Sequence, residues 1–395
     1  MSFDVFAGLR VLDFTRVLAG PYATRLLADF GAEVIKVQSG KSATGAESND
    51  RPYFSAWNRN KRSIVLDMNL PEARQAVLDL VCNCDVVIEN FSPRVFDNWG
   101  LDYATLQQHN PAIILLRMSA AGQTGAWRNS VAFGPTIQAL SGLTQLTACR
   151  DGTPIGPGFA YADVVAGLYG ALAIASAVYS RVRTGKGQCI DLSEYEALVG
   201  LLGPSLIVEQ MGAREIVSGR DVAETAPSAP YGFFRCVGFE RWCAIAVFDD
   251  AQWQALCEVL QLQGAEHDPR FATLEARSSN SAELRAVIEA SAGKRQAWEL
   301  ASQLQSKGVP AAVVQDAKDL SLDPQLVERG FFVRLKHPGQ AESVSDRGAI
   351  RLGAESQPQW RPAPLLGQDT DSVLADLLGW SPDKIASFKA RGIIG

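Results

Sequence analysis

The sequence predicts an α/β fold in which a parallel sheet is covered by helices on both of its faces. The main observation is that short apolar runs alternate along the chain with segments whose apolar residues recur at helical spacing. Length and composition agree with this prediction. At about 150 residues per domain, 395 residues suit two or three domains, and a chain that is 47% hydrophobic and 20% charged is too apolar to be disordered.

The first strand, helix and strand lie within residues 9–38. Residues 9–14 form an apolar run that predicts a strand, and residues 33–37 predict the next one. Between them, Pro21 suits the first position of a helix because it has no N–H to leave unpaired, and Gly31 suits the position that ends the helix.

The same alternation continues toward residue 211. An uncharged run of 17 residues, 164–180, borders the length that crosses a membrane and is interpreted as a buried helix. Strands are predicted at 63–66, 85–91, 112–118 and 188–192, and helices from Pro71 onward, at 164–180 and at 194–211.

Composition changes after residue 211, which predicts a second, smaller domain. That domain would contain a strand at 242–247 and helices near 250–262 and 281–306, and a last helix is predicted at 371–378. The predicted division is a large domain at 1–211, a linker at 212–230, a small α/β domain at 231–315, and a segment at 316–395 that returns to complete the large domain.

Charge and cysteine usage narrow the class of protein. With 37 Lys and Arg against 43 Asp and Glu, the net charge is −6, which does not suit a general binder of nucleic acid or of anionic membranes but allows a local basic pocket. The seven scattered cysteines suit reduced thiols in the cytoplasm, and the N-terminal residues show no secretion signal. None of His109, His267 and His337 lies near a cysteine at metal-ligand spacing, so no metal site is expected.

A parallel sheet binds ligands at the carboxyl ends of its strands, which directs attention to the turns after Phe14 and Phe91. The first of these turns lacks the pattern GxGxxG, and the pattern GxxxxGK[ST] occurs nowhere. A standard dinucleotide or P-loop site is therefore disfavoured.

Asp163 stands alone between a Gly- and Pro-rich loop, 152–158, and the uncharged helix. One interpretation is a helix N-cap, since Asp is a preferred capping residue. The other is a covalent nucleophile, because a carboxylate is already ionised at neutral pH and needs no base. Pattern alone leaves both open.

Three further groups of residues have a functional and a plain interpretation. Residues 90–94 follow a predicted strand and either face a ligand or form a simple turn. Residues 58–63 are a basic cluster that either meets phosphate or forms a solvated loop. The aromatic side chains that either line a pocket or belong to the core are Trp99, Trp127, Phe133 and Tyr161.

The chain resembles the family III CoA-transferases, which include the formyl-CoA, carnitine and benzylsuccinate CoA-transferases. The matching segments extend over nearly the whole chain, and their order and spacing together make the resemblance specific. The segments are 8–15, 17–21, 27–37, 58–64, 89–91, 138–142, 184–188, 323–325, 329–331 and 363–367.

The resemblance implies a Rossmann-like large domain, a small domain, and two chains interlocked as a dimer. A homodimer is expected, with a heteromer that contains a paralogous subunit as the alternative. Asp163 is the implied catalytic residue. The implied contacts of coenzyme A are Val17, Leu18, Ala19, Leu66, Asp67, Met68, Asn69, Asn90, Phe91, Ser92, Arg94, Asn98, Phe133 and Gly134.

The implied reaction moves CoA from a donor acyl-CoA to an acceptor carboxylic acid. Asp163 would form a mixed anhydride with the acyl group and then a thioester with CoA. CoA thus enters as a substrate thioester, and no permanently bound cofactor, metal, nucleic acid or membrane is expected.

The chain departs from the family at several positions. Some members have Arg or Lys where this chain has Ser39, Asn69, Asn98 and Val131, so we expect Arg16, Arg62 and Arg94 to meet the CoA phosphates. A glycine-rich shielding loop of some members has no counterpart, because residues 213–230 contain Gly219 as their one glycine.

Two rival functions are considered. The related α-methylacyl-CoA racemases need a second proton-transfer group, a histidine, whose aligned position here is Phe133, and a phenyl ring cannot move a proton. A CoA-binding subunit without activity would not need Asp163. Apolar side chains near the expected site favour a bulky or aromatic acceptor acid, and these are Leu18, Trp99, Phe133 and Tyr161.

Overall fold

The computed structural model describes residues 4–41, 43–149, 151–212, 228–338, 342–351 and 360–395. The chain divides into two compact units. Unit 1 comprises Met1–Thr147, Pro154–Ile216 and Gly330–Gly395, and unit 2 comprises Ala148–Thr153 and Val217–Arg329.

This division differs from the predicted one in placing residues 316–329 in the smaller unit. Most of the predicted linker at 212–230 lies outside the described residues. The predicted domain boundaries themselves stay a prediction.

Unit 1 contains a parallel sheet of six strands, which confirms the predicted α/β class. The spatial order is β3-β2-β1-β4-β5-β6, and every neighbouring pair is parallel. The strands are β1 (Arg10–Asp13), β2 (Glu33–Gln38), β3 (Arg62–Val65), β4 (Val86–Glu89), β5 (Ile114–Ser119) and β6 (Gln188–Ser193).

Helices connect these strands and cover the sheet. In the N-terminal part of unit 1 they are α1 (Ala19–Asp29), α2 (Pro52–Asn58), α3 (Pro71–Val81), α4 (Val95–Asn98), α5 (Tyr103–His109), α6 (Gly134–Leu140), α7 (Leu143–Leu146), α8 (Tyr161–Thr184), α9 (Glu194–Leu201) and α10 (Gly203–Gln210).

Successive residues of a strand serve opposite faces of the sheet, as the two-residue period of a strand requires. Val11 packs in a cluster with residues of α1 and α8, such as Ala23 and Ile174. Its neighbour Leu12 packs in another cluster with residues of α3, such as Val77. Both faces are therefore covered, as predicted from the apolar runs.

The structure corrects several predicted elements of unit 1. Helix α1 begins at Ala19, so Pro21 is its third residue, which is still in the first turn where no intrahelical N–H bond is required. The predicted helix 194–211 is two helices, α9 and α10. Gly31 has a φ of +98° directly after the last turn of α1, as its predicted role requires.

Unit 2 has its own three-stranded antiparallel sheet, of order β7-β8-β9. Its core packs Trp253, Phe271 and Leu300 together. The predicted helix at 281–306 is two helices. The elements are β7 (Tyr231–Arg235), β8 (Trp242–Ala246), α11 (Asp250–Leu260), α12 (Leu274–Ser279), α13 (Ser281–Ala292), α14 (Ala297–Ser306), β9 (Ala311–Val313), α15 (Ala317–Leu322) and α16 (Pro324–Glu328).

The C-terminal segment completes unit 1. The strands β10 (Phe332–Leu335) and β11 (Ser343–Asp346) pair antiparallel, and α17 (Thr370–Leu378) agrees with the predicted last helix. A further helix, α18 (Pro382–Ala390), follows it. The N–H of Asp369 donates to the carbonyl of Ser63, which ties this segment to β3 at the edge of the sheet.

Helix α8 was predicted to be buried, and the structure shows that it is buried on one side. Its length and composition would allow it to cross a membrane, but the core helix of a soluble protein can have the same length and composition. In its most apolar window, 44% is buried. One side packs against α1. The other side exposes large apolar side chains, which are Leu168, Tyr169, Leu172, Tyr179 and Val182.

Candidate active site

Asp163 lies in the first turn of α8 and is buried. The N-cap position belongs to Ala160 and Asp163 is the third helical residue, so the N-cap interpretation is wrong. Its Oδ2 atom is buried and has no hydrogen-bond partner among the described residues. Burial raises the pKa of Asp163 to about 6, so the carboxyl is mostly ionised at neutral pH.

Gly134, the first residue of α6, touches this carboxylate with its backbone. A Cβ at position 134 would lie 2.2 Å from Asp163 Oδ2 and 2.9 Å from the Cβ of Ala160. No side chain fits there without moving the acid. The predicted site residues Gly134 and Asp163 are therefore in direct contact.

Gln138 ties α6 to the start of α8. Its side chain is buried, and its Oε1 atom accepts the N–H of Tyr161, the first residue of α8, at 2.7 Å. This bond reaches the turn that carries Asp163. Sequence reasoning used Gln138 as part of a matching segment and gave it no role.

Glu194, the first residue of α9, is a second buried acid near Asp163. Burial and the charge of Asp163 raise the pKa of Glu194 to about 8, so this carboxyl keeps its proton at neutral pH. Sequence reasoning missed it, because an acid directly after the capping residue Ser193 is a usual partner of a helix dipole.

A cavity of about 210 Å³ lies at the carboxyl end of the sheet. Six of the predicted CoA contacts line it together, and these are Val17, Leu66, Asp67, Met68, Asn69 and Phe91. Trp99 lies beside them, with its ring 5.3 Å from that of Phe91 in an edge-to-face arrangement.

Tyr53 is a residue of the cavity wall whose pKa responds to the charge of Asp163. Its side chain lines the cavity, and its pKa is raised by burial and by the negative charge of Asp163. The negative charge of Asp163 therefore acts on the Tyr53 phenol at the wall of the cavity.

The remaining predicted contacts lie elsewhere. Leu18 and Ala19 are buried at the start of α1. Phe133 is 65% exposed and precedes α6. The exposed residues that are absent from the described lining of the cavity are Ser92, Arg94 and Asn98.

The three arginines expected to meet phosphate differ in position. Arg16 lines the cavity and is paired with Glu47. Arg62 instead donates to Glu33 at 2.7 Å and is absent from the described lining. Arg94 is exposed and has a φ of +82°. Lys36, which was not predicted, lines the cavity and donates to the carbonyl of Thr15 at 2.6 Å.

Arg59 and Lys61, the central basic residues of the cluster at 58–63, are neither solvated nor part of the described lining of the cavity. Arg59 and Lys61 are fully buried. Arg59 pairs with Asp29 at 2.6 Å, and the Nζ atom of Lys61 donates to Asp13 at 3.0 Å. Both interpretations from sequence are wrong for these two residues. The sequence did not reveal their partners, which lie about 30 and 48 residues away along the chain.

Among the residues that the structure describes, no group of three or more His, Cys, Asp or Glu side chains could hold a metal ion. The chemistry available at Asp163 is that of a buried carboxylate that is mostly ionised at neutral pH. Such a carboxylate can act as a nucleophile toward an acyl group.

Comparison with known proteins gives consistent relatives. The model of CoA-transferase family III matches residues 6–370. The chain is 33% identical to the succinyl-CoA–D-citramalate CoA-transferase of Chloroflexus aurantiacus, over 98% of this chain and 97% of that protein. It is 32% identical to the succinate–glutarate CoA-transferase of Agrobacterium fabrum, over 94% and 95%.

A solved structure agrees with these relatives. The crystal structure of a CAIB/BAIF family protein from Brucella suis is similar to this chain with a TM-score of 0.86 at 32% identity, covering 94% of this chain and 98% of that one. Sequence and fold thus agree over nearly the whole chain. The chain belongs to CoA-transferase family III.

Proposed function

We propose that this enzyme moves CoA from an acyl-CoA to a carboxylic acid through covalent intermediates on Asp163. The observation that carries the proposal is that Asp163 is buried, mostly ionised at neutral pH, and without a hydrogen-bond partner for Oδ2 among the described residues. A carboxylate of this kind is poorly solvated and therefore a better nucleophile than one in water.

The steps balance without any net proton transfer. Asp163 attacks the thioester carbonyl, the CoA thiolate leaves with its electron pair, and a mixed anhydride forms. The thiolate attacks the Asp163 carbonyl, which releases the donor acid and leaves an aspartyl-CoA thioester. The acceptor carboxylate then attacks that thioester, and the released thiolate attacks the acceptor's acyl carbon, which regenerates the Asp163 carboxylate.

Neutral Glu194 fits this sequence of charges. Each attack passes through a tetrahedral centre that carries an extra negative charge, and a second ionised carboxyl nearby would oppose it. A raised pKa of about 8 keeps Glu194 uncharged at neutral pH.

CoA is proposed to occupy the cavity beside Tyr53, where it would contact Val17, Phe91 and the turn after β3. Roles for the more distant residues stay predictions. The phosphates would meet Arg16 at the cavity and Arg94 at the surface. Residues 213–230, where no glycine-rich shielding loop is expected, lie mostly outside the described residues.

We further propose an interlocked homodimer in the cytoplasm, with a heteromer as the alternative. The exposed apolar side of α8 supports the dimer, because patches of this kind on a soluble chain mark interaction surfaces. Reduced cysteines support the location, and the structure contains seven free thiols.

The acceptor acid has two candidate classes. The predicted bulky or aromatic acid is supported by the exposed aromatic side chains of Phe133 and Tyr161 near Asp163. The names of both curated relatives contain short dicarboxylic acids, which supports succinyl-CoA as donor and a short diacid as acceptor. A panel of both classes with succinyl-CoA separates them by kcat/KM.

The covalent step is tested by trapping. Incubation with an acyl-CoA and hydroxylamine should convert Asp163 to a hydroxamate, which mass spectrometry of the Asp163 peptide detects. Asp163→Ala should give neither adduct nor turnover, whereas Asp151→Ala, at an exposed loop position, should give both. A racemase or an inert subunit would yield no adduct while binding CoA.

A further inference from the structure

The turn after β1 has an unusual backbone at the wall of the cavity. Val17 has a φ of +65°, a left-handed conformation that β-branched residues rarely adopt. Val17 and the preceding Arg16 both line the cavity. A conformation of this kind persists only where its surroundings enforce it, and such enforcement is typical of functional sites.

Asn90 holds this turn with both ends of its amide. Its Oδ1 atom accepts the N–H of Arg16 at 2.7 Å, and its Nδ2 atom donates to the carbonyl of Arg16 at 2.9 Å. The side chain thus pairs with the backbone of Arg16 as a neighbouring strand would. The two residues are 74 positions apart in the chain.

A second side chain holds the next residue. Glu47 accepts the N–H of Val17 at 2.7 Å and is paired with the guanidinium of Arg16. The backbone on both sides of the peptide bond between Arg16 and Val17 is therefore fixed by side chains from other elements. Without the hydrogen bonds of Asn90 or Glu47, Val17 can return to a common backbone conformation.

Asn90 differs in position from the residues that face the ligand space. Phe91, its neighbour, lines the cavity, whereas Asn90 is absent from the described lining. Two of the hydrogen-bonding positions of its amide are already taken by Arg16. The side chain is therefore arranged to support the cavity wall.

We infer that Asn90 is a positioning residue for CoA binding, which acts by holding Arg16 and Val17 in their strained turn and not by touching the ligand with its amide. The inference rests on the proposed function in taking CoA as the ligand. It replaces the direct contact that the resemblance implied for Asn90.

A double-mutant cycle with Val17→Gly tests this role, because glycine adopts a left-handed φ without strain. Binding of free CoA is measured by titration calorimetry. We expect Asn90→Ala to weaken binding about tenfold in the parent background. Val17→Gly alone should lose what the Val17 side chain contributes to binding, and adding Asn90→Ala to it should weaken binding by no more than about threefold further.

Three readouts separate positioning from a merely structural role. The KM for the acyl-CoA should rise in Asn90→Ala with little change in kcat. Asn83→Ala is the matched control, since its amide also donates to a backbone carbonyl, that of Leu377 at 3.1 Å, and it should leave CoA affinity unchanged. Melting temperatures show whether any loss follows stability alone.

The outcomes are distinct. If Asn90→Ala loses the same CoA affinity in the parent and in Val17→Gly, Asn90 contacts the ligand directly and the inference is overturned. Unchanged CoA affinity in Asn90→Ala would also overturn it. If Asn90→Ala does not fold, the isosteric Asn90→Asp, which loses the donor to Arg16, takes its place in the cycle. A parent enzyme that fails to bind CoA would instead overturn the proposed function.

Discussion

Asp163 owes its proposed reactivity to what surrounds it. Burial in the first turn of α8 raises its pKa to about 6, and the backbone of Gly134 lies against its Oδ2 atom. Glu194 stays neutral beside it. The acid is therefore poorly solvated, charged and held in place, which are the properties that a covalent carboxylate needs.

Adding one methyl group at position 134 should disable the acid. In Gly134→Ala the new Cβ would lie 2.2 Å from Asp163 Oδ2, so the carboxylate must move. Displacements of about 1 Å can cost about 100-fold in rate, and we expect a loss of at least that size in kcat with CoA binding retained. The control Gly200→Ala, which meets open space in α9, should keep its activity; a fully active Gly134→Ala would contradict the account.

The charge on Asp163 should lower the stability of the fold. Its pKa is about 6 when folded against 3.8 when unfolded, so the ionised form is destabilised and the cost appears as pH rises from about 4 to about 6. Asp163→Asn should therefore raise the free energy of unfolding at pH 8 by up to about 3 kcal/mol, and by little below pH 4. Urea unfolding of the parent and the variant at both pH values measures this effect. If Asp163→Asn changed the free energy of unfolding by the same amount at both pH values, the raised pKa would be contradicted.

At the scale of elements, a buried ionic cluster joins the turn after β1 to the elements around it. The Nζ atom of Lys61 donates to Asp13 at the end of β1, to Thr24 of α1 at 2.7 Å and to Asn58 of α2 at 2.8 Å. Burial alone would raise the pKa of Asp13, but the charges of Lys36 and Lys61 outweigh it and lower that pKa to about 2. The cluster fixes the elements that carry the cavity wall.

Breaking this cluster should strongly destabilise the protein. Lys61→Met leaves the buried Asp13 without the nearer of its two lysines, and removing one partner of a buried ion pair costs about 3–5 kcal/mol. Lys41→Met removes an exposed pair with Asp67 and should cost less than about 1 kcal/mol. Denaturant unfolding compares the two, and similar losses for both variants would show that the cluster is not what stabilises unit 1.

Elements with a clear period were predictable, and buried polar pairs were not. The apolar runs at β1 to β6 and the spacing in α3 predicted the parallel sheet and its covering, because burial on both faces leaves a direct trace in the sequence. Arg59 and Lys61 were mistaken for surface charges, since their partners come from distant segments. Gly134 and Asp163 meet through the fold alone, because they lie on different helices, α6 and α8.

At the scale of the molecule, the exposed side of α8 is the feature that a single chain does not explain. Leu172 is 62% exposed and Tyr179 is 67% exposed on a helix of 24 residues. The sequence run predicted burial from its lack of charge, and a second chain would supply the missing cover. We therefore expect the second chain of the proposed interlocked dimer to cover this side of α8.

We expect two chains per particle that do not separate on dilution. Interlocked chains cannot part without local unfolding, so light scattering after size exclusion should give a dimer down to the lowest measurable concentration. Differently tagged pools should exchange subunits no faster than the protein unfolds. Monomers on simple dilution would contradict the interlocked arrangement while leaving the reaction open.

The fate of one oxygen atom tests the covalent account most directly. An acceptor acid whose carboxylate carries a heavy oxygen isotope should leave one labelled oxygen in the Asp163 side chain after a turnover, because the acceptor's attacking oxygen bridges the anhydride and remains on the aspartate. Mass spectrometry of the Asp163 peptide should then show the mass increase of one heavy oxygen. Complete turnover with an unlabelled Asp163 would mean that CoA passes directly between the acids, and would contradict the account.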